Sequence, residues 1–515
     1  MKIARFIGLV CFIIAATVAG HAFADSKSFA PGELLVKFKN GTPATAAAAT
    51  HERLGAELIE TLGDLKWVRV KLPVNLPVEK ALEEYGRLGE IEAVQPNFYY
   101  RLLAAPNDPQ YPNAGMYGLS RISAPSAWDL TTGSAAVVVA NIDTGVRYTH
   151  EDLAANMWTN AGETAGNGVD DDGNGFVDDF YGYDFRYNDA NPIDENGHGT
   201  HTAGTIGAVG NNALGVVGVN WNVRIMAIKI YSPSGTDSTS AMLVNAYNYV
   251  RLMKNRGVNI RVTNNSYGDC PEACGYDQAT KDALDALGEA GVLNVFAAGN
   301  NGRDIDAAAP FYPASYALPS ILSVASSTST DARSGFSNFG PTSVDLAAPG
   351  SGIYSTTSGS NARYGSSSGT SMAAPHAAGA AALLAAHNPN LSAASLKATL
   401  MNTVDALAAW NGVVKSGGRL NVDRALRNQT ICAFDLSQTQ ITAPTKGGHF
   451  SVAVTAPANC DYAVKSESKW ITVTSAGAQS GNGSITFRVG VNQTISRTAT
   501  ISVGGQILTV RQSRN

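Results

Sequence analysis

Three apolar strands, separated by stretches of helical character, constrain the fold of this chain more than any other feature. The segments AAVVVANID, VRIMAIKI and GVLNVFAAGN are apolar nearly throughout and lack the alternation of a half-exposed strand. Continuous apolar strands separated by helices are typical of a parallel sheet that is covered on both faces. We therefore expect an α/β domain over residues 105–428, with its chemistry at the carboxyl ends of the strands.

The composition changes on both sides of this region, so the chain of 515 residues is expected to contain three folded units. Residues 25–104 alternate strand patterns with the amphipathic helical stretch PVEKALEEYGRLG, which predicts a small α+β unit. Residues 429–515 are rich in Thr, Ser and Val and contain short alternating strands between glycine turns. This pattern predicts a small β-sandwich.

The N-terminal segment predicts export. Lys2 and Arg5 precede an apolar run, and Ala22–Ala24 has the small-x-small form of a cleavage site, so residues 1–24 are interpreted as a signal peptide. A membrane anchor is the alternative, but the apolar run is short and no second span follows it. The protein is therefore expected to be secreted, and its net charge of −5 gives no support for nucleic-acid binding.

The cysteines favour disulfide bonds. Removal of the signal peptide leaves Cys270, Cys274, Cys432 and Cys460. An even number of cysteines in an exported protein favours disulfides, and the clusters suggest the pairs Cys270–Cys274 and Cys432–Cys460. Metal binding by CPEAC is the alternative, although no further Cys or His pair lies nearby to complete a zinc site.

Four polar residues come at strand ends or helix starts of the predicted α/β domain: Asp143, His198, Asn300 and Ser371. Asp143 follows the buried strand VVVANI, Asn300 ends the strand VFAAGN, and His198 lies in a glycine-flanked turn. A serine nucleophile, a histidine base and an aspartate that orients the imidazole form such a set in acyl-transfer enzymes. The alternative is that each residue is only a helix cap or a packed polar group.

The segment around Ser371 predicts a helix start. A proline is tolerated in the first turn of a helix because its missing N–H has no intrahelical partner there. The run HAAGAAALLAAH after Pro375 indicates a helix of small side chains that can pack closely. We therefore expect Ser371 at a helix N-terminus, where free N–H groups and the helix dipole favour negative charge.

These residues carry a resemblance to the subtilisin-like serine proteases. VVVANIDTGV, NGHGTHTAG and GTSMAAPHAAG, in the order Asp, His, Ser, resemble the three signature blocks of that family over residues 105–428. The resemblance implies an endopeptidase in which Ser371 attacks the peptide carbonyl and His198 takes its proton. Residues 25–104 resemble the inhibitory, chaperone-like prodomain of the family, which implies a self-processing zymogen. A catalytically silent surface-binding protein is the rival interpretation, and the intact set of four residues disfavours it.

The resemblance also implies a substrate pocket. Asn300 corresponds to the side-chain oxyanion donor, beside the backbone N–H of Ser371. The residues expected to form the pocket are Ser266, Tyr267, Gly268, Ala297, Ala298, Gly299 and Phe311. Tyr267 is bulkier than the aliphatic residue usual in the family, and Phe311 stands where the pocket floor often has a small residue. Neither wall contains an acidic residue, so we expect broad specificity with an apolar or small residue at the cleaved position.

An acidic segment, NGVDDDGNGFVDD, is similar to the opening of an EF-hand calcium loop. Its expected ligands are Asp170, Asp172, Asn174, the Phe176 carbonyl, and Asp178 or Asp179. Tyr181 occupies the position of the usual final glutamate, so the segment is not an EF-hand proper, and a solvated acidic loop is the alternative. Calcium is favoured because so many crowded carboxylates would otherwise repel one another.

The resemblance implies a stronger calcium site at Asp108, Asp152 and Asn212. The C-terminal region, with KWITVTS and LTVRQ, resembles BACON-type immunoglobulin-like domains, which implies carbohydrate or glycoprotein as a partner. Trp470 is expected in the core of that domain rather than at a sugar-binding surface. The other expected partners are protein or peptide substrates and the prodomain of the chain itself, with the enzyme acting as a monomer.

Overall fold

The computed structural model describes residues 29–99, 105–268, 276–475 and 477–513. The predicted signal peptide and the predicted Cys270–Cys274 pair lie outside these residues. The chain divides into two compact units, one holding residues 29–99 and the other the residues from 105 onward. Within the described ranges, no helix combines the length and the apolar character needed to cross a bilayer.

The first unit is an antiparallel sheet with two helices. Its elements are β1 (Phe29–Phe38), α1 (Ala44–Arg53), β2 (Glu57–Leu62), a 3-10 turn (Gly63–Leu65), β3 (Trp67–Lys71), α2 (Val78–Gly86) and β4 (Ile91–Phe98). The strands pair in the order β2-β3-β1-β4. Leu34 and Val36, two positions apart on β1, share a core with Ala81 and Tyr85 of α2. This is the α+β unit that the sequence predicts.

The second unit is built around a nine-stranded sheet. Its first half contains α3 (Tyr117–Arg121), α4 (Ala124–Trp128), β5 (Gly133–Asp143), β6 (Gly182–Asp184), α5 (His198–Gly207), β7 (Asn222–Lys229), α6 (Ser240–Asn255) and β8 (Ile260–Asn265). Its second half contains α7 (Gln278–Glu289), β9 (Leu293–Ala297), β10 (Ile321–Ser327), β11 (Leu346–Pro349), β12 (Ile353–Thr356), β13 (Tyr364–Ser367), α8 (Thr370–His387), α9 (Ala393–Asn402), β14 (Asp405–Ala406), β15 (Gly418–Arg419) and α10 (Val422–Arg427). Short 3-10 turns lie at Ala114–Met116, Ala154–Asn156 and Ala408–Trp410.

The strand order of this sheet is β14-β15-β11-β10-β9-β8-β5-β7-β6, and every neighbouring pair except β14 and β15 is parallel. In β5, Val137 and Val139 face the core that contains α8, whereas Val138 and Ile142 face the core that contains α6 and α7. A strand covered on both faces is apolar at successive positions, which explains the segment AAVVVANID. The predicted parallel sheet with helices on both faces is confirmed.

Three neighbouring strands of this sheet, β9, β8 and β5, end at the same edge because they are parallel. Asp143 is the last residue of β5, Ser266 follows β8, and Asn300 comes three residues after β9. Helices α5 and α8 begin at His198 and Thr370 and lie on the same face of the sheet. The fold therefore brings the predicted polar residues to one edge.

The position of Pro375 differs from the prediction. Helix α8 begins at Thr370, just before Ser371, but Pro375 lies inside the helix and not in its first turn. Pro375 has no N–H to donate to the Ser371 carbonyl four residues earlier. That carbonyl instead accepts a hydrogen bond of 3.0 Å from the Ser266 hydroxyl. The proline therefore frees a backbone acceptor for a contact with the segment that follows β8.

The C-terminal region consists of short strands around its own core. The strands are β16 (Asp435–Leu436), β17 (Gln440–Ala443), β18 (Gly448–Thr455), β19 (Asp461–Tyr462), β20 (Val464–Lys465), β21 (Ile471–Val473), β22 (Gln479–Ser480), β23 (Gly483–Val489), β24 (Arg497–Val503) and β25 (Gln506–Gln512). The four-stranded sheets β16-β18-β23-β21 and β17-β25-β24-β20 share one core, and β19 pairs with β22. The predicted disulfide Cys432–Cys460 is present. Trp470 packs against the core, with the Arg497 guanidinium 4.3 Å above its ring.

Two ion pairs join this region to the α/β domain. Lys397 of α9 donates to Asp461 of β19 at 2.8 Å, and both side chains are buried. Lys465 of β20 donates to Asp285 of α7 at 2.7 Å. The buried pair in particular fixes the contact, because loss of either partner would leave an uncompensated charge in the interior.

Candidate active site

The carboxylate of Asp143 orients the imidazole of His198. The Nδ1 atom of His198 lies 2.7 Å from Oδ1 of Asp143, which is only 2 % exposed. Asp143 also accepts hydrogen bonds from the Thr144 N–H at 2.7 Å and from the Thr202 hydroxyl at 3.2 Å. A carboxylate acceptor on Nδ1 places the imidazole proton there and leaves Nε2 as the basic nitrogen.

The pKa of His198 lies above the ordinary imidazole value. Burial lowers this pKa, but the charge and hydrogen bond of Asp143, together with the charge of Asp194, raise it by more. A base with a raised pKa has a greater drive to accept a proton in the transition state.

Asp194 is a second buried carboxylate behind His198, and the sequence analysis did not include it. It is 2 % exposed and accepts five hydrogen bonds: from the N–H groups of Asn196, Gly197 and Thr200 and from the hydroxyls of Thr144 and Thr200. These contacts tie the residue next to Asp143 to the start of α5. An aspartate just ahead of a predicted helix is a capping signal, which would have identified it.

Ser371 and Ser266 form two reciprocal hydrogen bonds. Besides the Ser266 hydroxyl bond to the Ser371 carbonyl, the Ser371 hydroxyl donates to the Ser266 carbonyl at 3.1 Å. Ser371 and His198 line one cavity of about 320 Å³. Rotation of the Ser371 hydroxyl is therefore needed to direct its proton toward His198, a change that commonly accompanies substrate binding.

Thr370 sets the orientation of the Asn300 amide. Asn300 Oδ1 accepts hydrogen bonds from the Thr370 N–H at 2.8 Å and from the Thr370 hydroxyl at 2.9 Å. The same hydroxyl accepts from the Gly299 N–H at 3.1 Å. Because the amide oxygen is engaged in this way, the NH2 group of Asn300 is the end that remains for the cavity it shares with Ser371.

The side chain of Phe311 occupies the space between the two predicted pocket walls. A Cβ atom added to Gly268 would lie 2.4 Å from Phe311 Cε1, and one added to Gly299 would lie 2.6 Å from Cε2. The ring is 5 % exposed, so it is packed against both glycines. Ala297 lines the cavity, whereas Ala298 is fully buried in the core that contains α6 and α7. The alternation of side chains along an extended segment accounts for that difference.

Tyr267 extends from the wall of the cavity toward α6. Its hydroxyl donates to Asn265 Oδ1 at 2.9 Å and lies 2.6 Å from the Tyr247 hydroxyl. The ring lines the cavity at Ser371 and also a neighbouring cavity of about 340 Å³. Tyr267 therefore separates two adjoining spaces along the cleft.

The structure brings Asp108, Asp152 and Asn212 together. Asp152 is fully buried and accepts hydrogen bonds from the Asn212 side chain at 2.8 Å and from the Val216 N–H at 2.7 Å. Burial is the main reason that the pKa of Asp152 is raised to about 6, and the charge of Asp108 adds to it. Two buried carboxylates and an amide offer only oxygen ligands once the amide is turned, which suits a hard cation such as calcium.

The residues of the predicted calcium loop separate into two groups. The Asp170 carboxylate accepts the N–H groups of Asn174 and Gly175, and Asp178 accepts two N–H groups of the preceding turn. The ring of Phe176 packs on that of Tyr249, with centroids 4.8 Å apart. Asp170 and Asp178 therefore stabilise the backbone of the loop.

The second group consists of Asp172, Asn174 and Asp179. The Asn174 amide donates to Asp179 at 2.9 Å and to Asp172 at 3.3 Å. Glu163, which lies outside the predicted loop, joins this group: one carboxylate oxygen from each of Glu163, Asp172 and Asp179 lies within 4.8 Å of the others. No spacing rule pointed to Glu163 in the sequence.

Comparisons with known proteins find three matching family models. The model of the subtilase family matches residues 134–428. The fervidolysin N-terminal prodomain matches residues 16–97, and the viral BACON domain matches residues 433–513.

Curated proteins with similar sequences include several proteases. The chain is 38 % identical to thermitase of Thermoactinomyces vulgaris over 322 residues, which cover 62 % of this chain and 99 % of thermitase. It is 33 % identical to the thermophilic serine proteinase of Bacillus sp. (strain AK1) over 398 residues, covering 77 % of this chain and 88 % of that protein. It is 34 % identical to subtilisin Savinase of Lederbergia lenta over 311 residues, covering 60 % and 98 %.

Proposed function

Because the chain belongs to the subtilase family of serine proteases and carries an N-terminal prodomain, we propose that it is a secreted endopeptidase that cleaves proteins through Asp143, His198 and Ser371. The observation that carries this proposal is the 2.7 Å contact of His198 with buried Asp143, at the cavity that Ser371 also lines.

The proposed reaction is acyl transfer. The Ser371 oxygen attacks the peptide carbonyl while Nε2 of His198 takes its proton, and His198 then protonates the leaving amine. Water, activated by the same imidazole, releases the acyl group from Ser371. The Ser371 N–H at the start of α8 and the NH2 group of Asn300 stabilise the oxyanion, since both are fixed donors before substrate binds.

A fluorophosphonate probe tests this proposal directly. The Ser371 oxygen should displace fluoride from phosphorus and retain the phosphonyl group, which mass spectrometry locates on the peptide that contains Ser371. The Ser371→Ala protein is the matched control and should stay unlabelled. A folded chain that is not labelled, or that is labelled equally after Ser371→Ala, would contradict the proposed nucleophile.

The packing of Phe311 supports a preference for small or unbranched apolar residues at the cleaved position. Its ring takes up depth between Gly268 and Gly299 that a large aromatic substrate side chain would need. Lys and Arg are disfavoured because a buried charge without a partner costs several kcal/mol. Leu, Met and Ala are therefore the preferred residues, ahead of Phe and Tyr.

Self-processing is proposed to separate residues 25–104 from the catalytic domain at 105–428. The sequence RLLAA at 101–105 offers small and apolar residues that agree with the proposed pocket. The Ser371→Ala chain, expressed alone, should keep the prodomain attached. N-terminal sequencing checks this, and maturation of the inactive chain would show that another protease cuts it.

Export and the C-terminal domain, residues 429–515, complete the proposal. The N-terminal pattern of residues 1–24 and the Cys432–Cys460 disulfide support secretion as a monomer. The C-terminal domain is proposed to bind carbohydrate or glycoprotein. Retention of the mature chain on immobilised polysaccharide, compared with a chain that ends at residue 428, tests this part.

Calcium is proposed to bind at Asp108, Asp152 and Asn212. The two carboxylates are buried, and the three side chains converge from three separate segments of the chain. Calcium would hold these segments together in the folded state only, so its binding should stabilise the protein by mass action.

A further inference from the structure

A group of buried acidic side chains lies between β5 and β6, in the segment 159–180 that packs on α6. Glu163, Asp172 and Asp179 each place one carboxylate oxygen within 4.8 Å of the others. Glu163 is 7 % exposed and Asp179 is fully buried. Carboxylates at such distances repel one another strongly in the interior of a protein.

Hydrogen bonds satisfy part of this cluster. Asp179 accepts from the amides of Asn160 and Asn174 and from the Tyr249 hydroxyl at 2.5 Å. Oδ2 of Asp172 accepts from the same two amides. Each of these contacts holds an oxygen atom near the centre of the cluster, where it is available to a ligand.

Two buried oxygen atoms of the cluster have no hydrogen-bond donor among the described residues: Oε2 of Glu163 and Oδ1 of Asp172. The other oxygen of Glu163 accepts the Asp172 N–H at 3.1 Å, which fixes the carboxylate against the loop. A nine-tenths buried carboxylate with an unsatisfied oxygen is costly unless a cation faces it.

The charges near the cluster do not balance. Arg256 at the end of α6 lies 3.3 Å from Oδ1 of Asp172 and is the cation that contacts the cluster among the described residues. One guanidinium against Glu163, Asp172 and Asp179 leaves two negative charges uncompensated. Asp170 and Asp178 bond to backbone N–H groups in the same loop and add to the negative charge.

From these observations we infer that Glu163, Asp172 and Asp179 bind a calcium ion. The donors are all oxygen atoms, and the amides of Asn160 and Asn174 can each present their oxygen after rotation about the last side-chain bond. Calcium accepts six to eight oxygen ligands in irregular geometry, whereas Mg²⁺ demands a near-ideal octahedron. The site differs from an EF-hand in that Glu163 precedes the loop, and Asp170 and Asp178 serve the backbone.

The bound ion would connect the segment 159–180 to α6. Asp179 contacts Tyr249 and Asp172 contacts Arg256, both on or at the end of that helix. The loop has exposed positions such as Val169 and Val177, where a protease would otherwise cut. Calcium at this site is therefore expected to protect the loop from self-digestion, whether or not the proposed substrate preference is correct.

The test uses the full chain carrying Ser371→Ala, so that self-digestion does not disturb the measurement. Chelator-treated protein is titrated with CaCl2 by calorimetry, and Tb³⁺ emission excited through the tyrosines reports an ion next to Tyr249. Glu163→Gln should bind one calcium fewer per chain and lose that emission. The matched control is Asp171→Asn, because Asp171 is exposed in the same loop, lies outside the cluster and keeps an acceptor oxygen as asparagine.

Equal numbers of bound calcium ions in the parent and in Glu163→Gln, with unchanged Tb³⁺ emission, would overturn the site. If Glu163→Gln does not fold, hydrogen exchange of the parent decides the matter. Amides of the segment 159–180 should exchange at least tenfold more slowly with CaCl2 than with chelator, and MgCl2 at the same concentration should not reproduce this. Unchanged exchange would overturn the site, and equal protection by Mg²⁺ would overturn its assignment to calcium.

Discussion

Removal of the Phe311 side chain should change the specificity of the enzyme toward aromatic residues. The ring is 5 % exposed and lies against Gly268 and Gly299, between the walls of the cavity at Ser371. Phe311→Ala would open a space of the size of one phenyl ring at the base of that cavity. A substrate Phe side chain could then occupy the space that the enzyme's own ring has vacated.

The magnitude follows from the area that becomes available. Full burial of a Phe side chain is worth about 1.5–3 kcal/mol relative to leaving it exposed. At about 1.4 kcal/mol for each factor of ten, the ratio of kcat/KM for a Phe substrate over an Ala substrate should rise roughly 10- to 100-fold. The same substitution should lower the free energy of unfolding by about 3–5 kcal/mol, because it empties a packed site.

The assay compares two peptides that differ only in Phe or Ala at the cleaved position. Phe339→Ala is a suitable control: the Phe339 ring packs under the Arg333 guanidinium at 4.5 Å and does not line the cavity. Active-site titration of each variant corrects for unfolded protein. A folded, active Phe311→Ala enzyme with an unchanged ratio would refute the role given to Phe311, and a dominant preference for Lys or Arg in the parent would refute the uncharged pocket.

Asn300→Ala should lower kcat by roughly 10²–10³ with little change in KM, a magnitude that is known from subtilisin itself and is not worked from this structure; an unchanged kcat in steady-state assays would show that Asn300 does not face the oxyanion. The kcat/KM of the parent should fall as the pH falls through the pKa of His198, because only neutral imidazole accepts the serine proton; burial lowers this pKa and Asp143 and Asp194 raise it by more, so the midpoint should lie above the ordinary value of about 6.5. Asp194→Asn removes one of the two charges and keeps an acceptor oxygen, so that midpoint should move to lower pH, and a profile identical to that of the parent would contradict the role of the charge. Calcium at a hundredfold excess over its Kd should stabilise the mature enzyme by about 2.7 kcal/mol per site; Asp152→Asn should reduce the rise in Tm between chelator and CaCl2, and equal Tm values in the parent under both conditions would remove the calcium assignment.

Much of the fold could be predicted because its signals are local. The strand AAVVVANID is apolar at successive positions since both of its faces are covered, and that pattern alone indicates a parallel sheet. The meeting of Asp143 and Asn300 also follows from the sequence, because parallel strands end at one edge. The Cys432–Cys460 bond was predicted because each cysteine had one neighbour in its own domain.

The remaining features depend on contacts between residues that are distant in the chain. Phe311 reaches Gly268 and Gly299 only because the segment after β9 folds back over the end of the sheet. Pro375 stands in the second turn of α8, and its effect depends on the Ser266 hydroxyl, which reaches the Ser371 carbonyl from another strand end.

The residues near the chemistry show the same division. By itself the sequence determined which side chains carry it, since Asp143, His198, Asn300 and Ser371 stand at strand ends and helix starts with recognisable neighbours. Tertiary structure alone decided that Asp194 lies buried behind His198 and that Glu163 joins the acidic loop. The physical reason is that burial, charge and pocket depth are set by the packing of distant segments, which local sequence patterns do not encode.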